Sequence, residues 1–144
     1  MSMTFARIDL AKTKYVAELN YKMLDPVPVE QLQQVYRAYC AHRGFHSVIP
    51  MVPGRFDVPG TEVFGYYGDH GLMAWSMYRI WDQENLVCDH HAWDYKQPKL
   101  RLGITSFENE CAVYRDRGFR YLYLESLEPY MHRLQGFEIL GKLN

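Results

Sequence analysis

From Leu100 onward, apolar residues recur at helical spacing. Leu100, Ile104, Phe107, Cys111 and Tyr114 make one stripe, and Glu108, Glu110, Arg115 and Asp116 fall on the side predicted to face water. Pro98 suits a first helical turn because it has no N–H to lose there. Gly118 is placed to end the helix with a left-handed residue. Tyr121-Leu122-Tyr123-Leu124 then reads as a short buried strand, Pro129 to Gln135 as a short helical piece, and Gly136 to Gly141 as a last strand. Upstream, Thr4 to Leu10 alternates loosely and predicts an opening strand. Tyr15, Val16, Leu19 and Met23 form a stripe that predicts a helix from Lys12 to Leu24, stopped by Asp25-Pro26-Val27-Pro28. Leu32, Val35, Tyr36, Tyr39 and Cys40 predict a second helix from Val29 to Arg43, closed by Gly44. The prolines and glycines of Ser47 to Gly60 predict an irregular loop, functional or merely solvated. Glu62 to Tyr67, Leu72 to Trp81 and Leu86 to Trp93 read as three sequential strands joined by turns at Gly68–Gly71 and Asp82–Asn85. An antiparallel meander feeding a helix and a further strand gives a mixed α/β sheet, and 144 residues suit a single domain over 1–144.

Composition adds boundaries. At 48% hydrophobic and 15% aromatic residues the chain can bury a sizeable core. Sixteen basic against seventeen acidic residues argue against nucleic acid or a membrane surface as the main partner. Cys40, Cys88 and Cys111 lack paired spacing, which argues against a CxxC zinc site or a disulfide framework. The start of the sequence has no apolar signal core and no run is long enough to span a bilayer, so the expected location is cytoplasmic.

Two stretches carry candidate chemistry. The first is the start of the helix near residue 100, where free N–H groups and the positive dipole end attract anions. There Lys99 and Arg101 add charge, Thr105 and Ser106 add hydroxyls, and Gly103 allows a close approach to the backbone. The segment from Lys99 through Leu100, Arg101, Leu102, Gly103, Ile104 and Thr105 to Ser106 could hold a phosphate or pyrophosphate; an ordinary capped helix is the other reading. The second is Asp89-His90-His91-Ala92-Trp93-Asp94, a dense polar run at a strand end. Strict alternation puts Asp89 and His91 on one face with Val87 and Trp93, and His90 on the other with Cys88 and Ala92. The carboxylate could then orient the imidazole as a base. These groups could also be satisfied polar residues at a sheet edge. A metal site on Asp89, His91 and a distant His lacks a second ligand pair of suitable spacing.

The order of elements, and His132-Arg133-Leu134-Gln135-Gly136-Phe137 near the end, resemble the GCN5-related N-acetyltransferase (GNAT) superfamily. In that family a pyrophosphate-binding loop and helix follow the fourth strand, then come a fifth strand, a short helix ending in Tyr-x-x-x-Gly-Phe, and a last strand. The resemblance implies a central, mostly antiparallel sheet of six or so strands with helices on both faces. It implies acetyl-CoA as co-substrate and transfer of the acetyl group to an amine of a small molecule or protein, with a homodimer left open. The fourth strand of such folds splays from the fifth, so Leu86 to Trp93 would line the pantetheine arm, with Trp93 among the cofactor-binding residues. By the same resemblance His91 and Asp89 supply the base, and His132, at the usual tyrosine position, or Tyr130 supplies the acid. Leu100 stands at the family's basic loop position and Thr105 at its last small one, so a non-catalytic GNAT-like protein engaging a protein partner is the alternative. Leu102-Gly103-Ile104-Thr105 and Tyr121-Leu122-Tyr123-Leu124 also look like the core of arginyl-tRNA–protein transferases, which bears on ancestry.

Overall fold

The strands assemble into one seven-stranded sheet in the order β2-β3-β4-β5-β6-β1-β7. The structure, a computed structural model, describes residues 3–17, 19–45, 50–69, 71–95, 101–125 and 129–143. The strands are β1 (Met3–Asp9), β2 (Lys22–Met23), β3 (Thr61–Gly68), β4 (Gly71–Ile80), β5 (Asn85–Trp93), β6 (Tyr121–Leu124) and β7 (Phe137–Leu143), and the helices are α1 (Val29–Arg43) and α2 (Leu102–Asp116). Every neighbouring pair is antiparallel except β5 and β6, which run parallel as the ends of the crossover through α2. The meander is held tightly: Asp82 Oδ1 accepts the N–H groups of Glu84 (2.8 Å) and Asn85 (2.9 Å), which fixes the turn between β4 and β5.

Alternation along the strands sends side chains into two cores. Tyr66, Ala74, Tyr78, Leu86 and Leu122 meet Phe107, Cys111 and Tyr114 of α2 on one face. Val63, Trp75, Met77 and Ala92 meet Leu32, Val35, Tyr39 and Cys40 of α1 on the other. The mixed sheet covered on both faces is the architecture expected. Gly118, at φ 96°, ends α2 as predicted, with Phe119 N–H donating back to the Tyr114 carbonyl at 3.0 Å.

Three expectations are corrected. Lys12 to Leu24 is not a helix: after a 3-10 turn at Leu10–Lys12 the described residues run without helix to β2. It is held by distant groups, since Tyr15 Oη accepts the Gln135 N–H (2.9 Å), Gln135 Oε1 accepts the Lys14 N–H (2.6 Å) and Asn109 Oδ1 accepts the Leu19 N–H (3.2 Å). The helix predicted from Pro98 is helical from Leu102, with residues 96–100 outside the described part. Glu110 lies in the α2 core and not on the wet side, because three hydroxyls wait for it there.

Candidate active site

The parallel pair opens into a fork. β5 and β6 are in register only from Asn85 beside Tyr121 to Cys88 beside Leu124. β6 stops there, while β5 runs on through Asp89, His90, His91 and Ala92 to Trp93 with β4 alone as its partner among the described residues. Half of the backbone polar groups on this overhang therefore have no strand to bond, and buried or half-buried groups of that kind need a partner.

The start of α2 sits on the overhang. Its cap residue Arg101 is exposed and left-handed (φ 49°, ψ 46°), and no side chain caps the helix. A left-handed residue followed by a right-handed helical one turns successive N–H groups to one side, making an anion-binding concavity. Ile104 and Thr105 N–H groups bond the Arg101 carbonyl (3.1 and 3.0 Å), so those of Leu102 and Gly103 are the two without an intrahelical acceptor. The hydroxyls expected to help do something else: Thr105 Oγ1 donates to the Arg101 carbonyl at 2.9 Å and Ser106 Oγ to the Leu102 carbonyl. Gly103 does admit a close neighbour, and it is the Trp93 indole. A Cβ at Gly103 would lie 2.6 Å from Cζ2 of that ring. Leu102 and Ser106 are buried and Ile104 half-buried. Lys99 and Leu100 lie outside the described residues.

His91 faces α2. Its Nε2 is 2.8 Å from Ser106 Oγ, and its ring lies 5.7 Å from that of Phe107. Because the Ser106 hydroxyl already donates to Leu102, the imidazole must be the donor in this pair, which leaves Nδ1 as a buried acceptor with no partner among the described residues. Burial pushes the His91 pKa down to about 4, so the ring is neutral near pH 7.

Asp89 does not join His91, contrary to strict alternation. Cys88 pairs with Tyr78 and His90 with Met77, so Asp89 is an extra residue in β5, a β-bulge that breaks the period of two. Asp89 instead pairs with Arg79 (3.3 Å), and His90 packs under α1 against Tyr36 and Trp75. His132 is also elsewhere. It is exposed and its ring lies tilted against that of Phe137 (4.8 Å between ring centres), at the level of Ile8, Leu122 and Leu86. His91 is five residues beyond Leu86, roughly 15 Å along the strand. The Tyr130 side chain lies outside the described residues.

Sequence reasoning missed Glu110. Fully buried beneath the same helix, it accepts from Tyr66 Oη (2.5 Å), Tyr78 Oη (2.6 Å) and Ser76 Oγ (3.0 Å). Desolvation outweighs these bonds and raises its pKa to about 7. Ser76 is the cross-strand partner of His91, so His91, Ser76, Ser106 and Glu110 form one buried polar seam between sheet and helix. No group of side chains among the described residues could hold a metal ion, and no described helix is long and apolar enough to cross a membrane.

Solved structures with this arrangement exist in several proteins. A protein from Novosphingobium aromaticivorans DSM 12444 assigned to the GNAT family of acetyltransferases matches at a TM-score of 0.68 and 14% identity, over 99% of this chain and 62% of its own. The fold is the GNAT fold. Saccharomyces cerevisiae N-myristoyltransferase, solved with bound myristoyl-CoA, matches at a TM-score of 0.59 and 8% identity over 99% of this chain and 48% of its own. The C-terminal domain of a protein from Agrobacterium fabrum, assigned as a lysylphosphatidylglycerol synthetase, matches at 0.62 and 13% over 87% and 48%. The chain thus spans about half to three fifths of the length of these GNAT-fold neighbours. No protein-family model matches the sequence, and neither does any curated protein.

Proposed function

We propose that this GNAT-fold chain is a divergent member of the GNAT superfamily that takes an acyl group, acetyl in the first instance, from acyl-CoA to an amine of a small molecule or protein. The observation that carries the reading is the β5 overhang beside an uncapped helix start. The overhang's free backbone groups suit a pantetheine amide chain and a polarised thioester carbonyl, and the Leu102 and Gly103 N–H groups with the Arg101 charge suit a pyrophosphate. A neighbour with the same fold binds myristoyl-CoA, which supports a CoA-type co-substrate.

In this reading the amine nitrogen attacks the thioester carbon and the C–S bond breaks. His91 Nδ1 takes the amine proton, with Ser106 holding the ring. The leaving thiolate takes a proton from Tyr130 or solvent, and His132 has no part. With its pKa near 4, His91 is a weak base kept free of protons, so it imposes no acid limb around pH 6.5 on kcat/KM. A limb there that disappears in His91→Gln would contradict this state of the ring.

One observation favours a second reading. The Trp93 indole already occupies the approach to Gly103, as expected of a GNAT-fold protein that has lost acyl transfer and acts through protein–protein contact. Calorimetric titration with acetyl-CoA and desulfo-CoA separates the two. The first reading expects saturable heat and a raised Tm with both ligands; silence at millimolar concentration leaves only the second.

A further inference from the structure

A second concavity opens away from the fork, beside β3 and the start of α1. Its volume is about 650 Å³, inside the range of about 300–1,000 Å³ usual for ligand sites. Phe56 and Val63, both buried, form its floor and belong to the core beneath α1. Val27 and Val29 are half-buried in its wall, and Met23 and Val58 stand exposed at its rim. Two exposed carboxylates, Asp25 and Asp57, line it as well, and neither has an ion-pair partner among the described residues. Glu62 is a third, but Arg117 (2.6 and 3.0 Å) and Tyr114 (2.8 Å) already hold its carboxylate.

Along the same stretch β3 is short of hydrogen-bond partners. β2 covers only Gly65 and Phe64, and beyond it the Leu24 N–H reaches the Val63 carbonyl at 2.9 Å. The Ile80 N–H donates to the Gly60 carbonyl (2.8 Å), which sets the phase of the strand. Residues 60 and 62 turn their backbone groups toward β4, and Thr61 and Val63 turn theirs away from it. The Thr61 N–H is taken by the Val58 carbonyl at 3.1 Å. The Thr61 carbonyl and the Val63 N–H are left without a partner among the described residues, and so is the buried Thr61 hydroxyl. A carbonyl and an N–H two residues apart on one strand edge are the pair that brackets a single residue of a parallel chain.

We infer that this groove docks an extended basic segment of a partner protein, one residue of which adds to the edge of β3 while its cationic side chains lie against Asp25 and Asp57. Other occupants meet only part of the groove: a polyamine uses the carboxylates alone, and an apolar small molecule the walls alone. An extended peptide uses the edge, the walls and the charges together. β4 lies between β3 and β5, so the groove is separate from the fork and the inference does not rest on acyl transfer. It gives a protein acceptor a place to dock in the first reading and a protein partner one in the second.

The probe is a short, end-blocked peptide of alternating valine and arginine, titrated into isotope-labelled protein and followed by amide NMR. Saturable shifts are expected at residues 57, 58 and 61 to 63, with the Val63 amide moving most and gaining protection from exchange. The same peptide with glutamate in place of arginine should bind at least about tenfold more weakly, because like charges then meet across the groove. A version N-methylated throughout, which cannot donate to the Thr61 carbonyl, should lose at least as much. Asp25→Asn and Asp57→Asn together should weaken the arginine peptide about tenfold and flatten its salt dependence, at an unchanged Tm because both side chains are exposed. Spermine should leave the Val63 amide unmoved. No saturable shift at millimolar peptide, equal affinity for the glutamate or N-methylated peptide, or indifference to the double substitution overturns the inference. Spermine shifts that match those of the peptide overturn it too, since the groove is then only a sink for cations. The titration is read without acetyl-CoA, so silence toward that ligand leaves the docking site standing.

Discussion

Glu110 is a fully buried carboxyl that burial holds partly protonated near neutral pH. Its folded pKa of about 7 lies above the ordinary 4.5, so the folded state binds the proton more tightly than the unfolded chain. The stability that Glu110 contributes is therefore full below pH 4.5 and is lost as pH rises through about 7, a change of about 3 kcal/mol. His90 and His91 act in the opposite direction. With pKa values near 4 against an ordinary 6.5, their contribution is present above pH 6.5 and lost as pH falls through about 4. Glu110→Gln leaves the histidines in place, so the stability difference between wild type and variant isolates the carboxyl. Urea unfolding from pH 4.5 to 7.5 should show wild type losing ground to Glu110→Gln by about that amount, and a constant difference would mean that the carboxyl is not strained. Arg101 offers a second test at this scale. Aspartate tolerates the left-handed conformation better than arginine and complements the helix dipole, so Arg101→Asp should raise Tm while weakening acetyl-CoA binding at least tenfold. If both fall together, the helix start is structural only. Glu110 was not readable from periodicity, which assigns charged side chains to water, whereas Arg101 was foreseen as a charge at the helix start but not as a left-handed residue. The hydroxyls that receive Glu110 stand at positions 66, 76 and 78, far from it in sequence.

Elements were legible where their cause is local. The meander was foreseen because alternating apolar residues and turn signals lie within a few positions of one another, and the Val29–Arg43 helix because its stripe and Gly44 agree. Lys12 to Leu24 carries an equally regular stripe and is not helical. Its backbone is tied to Gln135 and Asn109, more than 85 residues away in each case, and no window of sequence shows that. Strand β5 was foreseen as a strand and misread in its faces, because one inserted residue at Asp89 reverses everything beyond it. The packing of Trp93 on Gly103 is a property of the pair. Gly103→Ala should destabilise by roughly 1–3 kcal/mol through overpacking, and the cost should largely vanish in a Trp93→Val background. A double-mutant cycle by chemical denaturation measures it, and additive losses would show that the ring does not set the size limit at Gly103.

At the scale of the whole molecule, the order of elements and the family resemblance it carried were enough to anticipate a mixed sheet with helices on both faces, and the GNAT-fold neighbours agree at TM-scores of 0.59 to 0.68. The site was less legible because it is built from mismatches between elements: one strand outlasting its neighbour, one extra residue in that strand, one helix without a cap. The unequal lengths of β5 and β6 leave a mark of their own. Amides between 89 and 93 that point away from β4 have no strand to bond among the described residues, so deuterium should enter them faster than the laddered amides of 85–88, and a molecule seated between the strands should slow them selectively. The protein carries in its backbone a built-in reporter of occupancy, readable before any substrate is known.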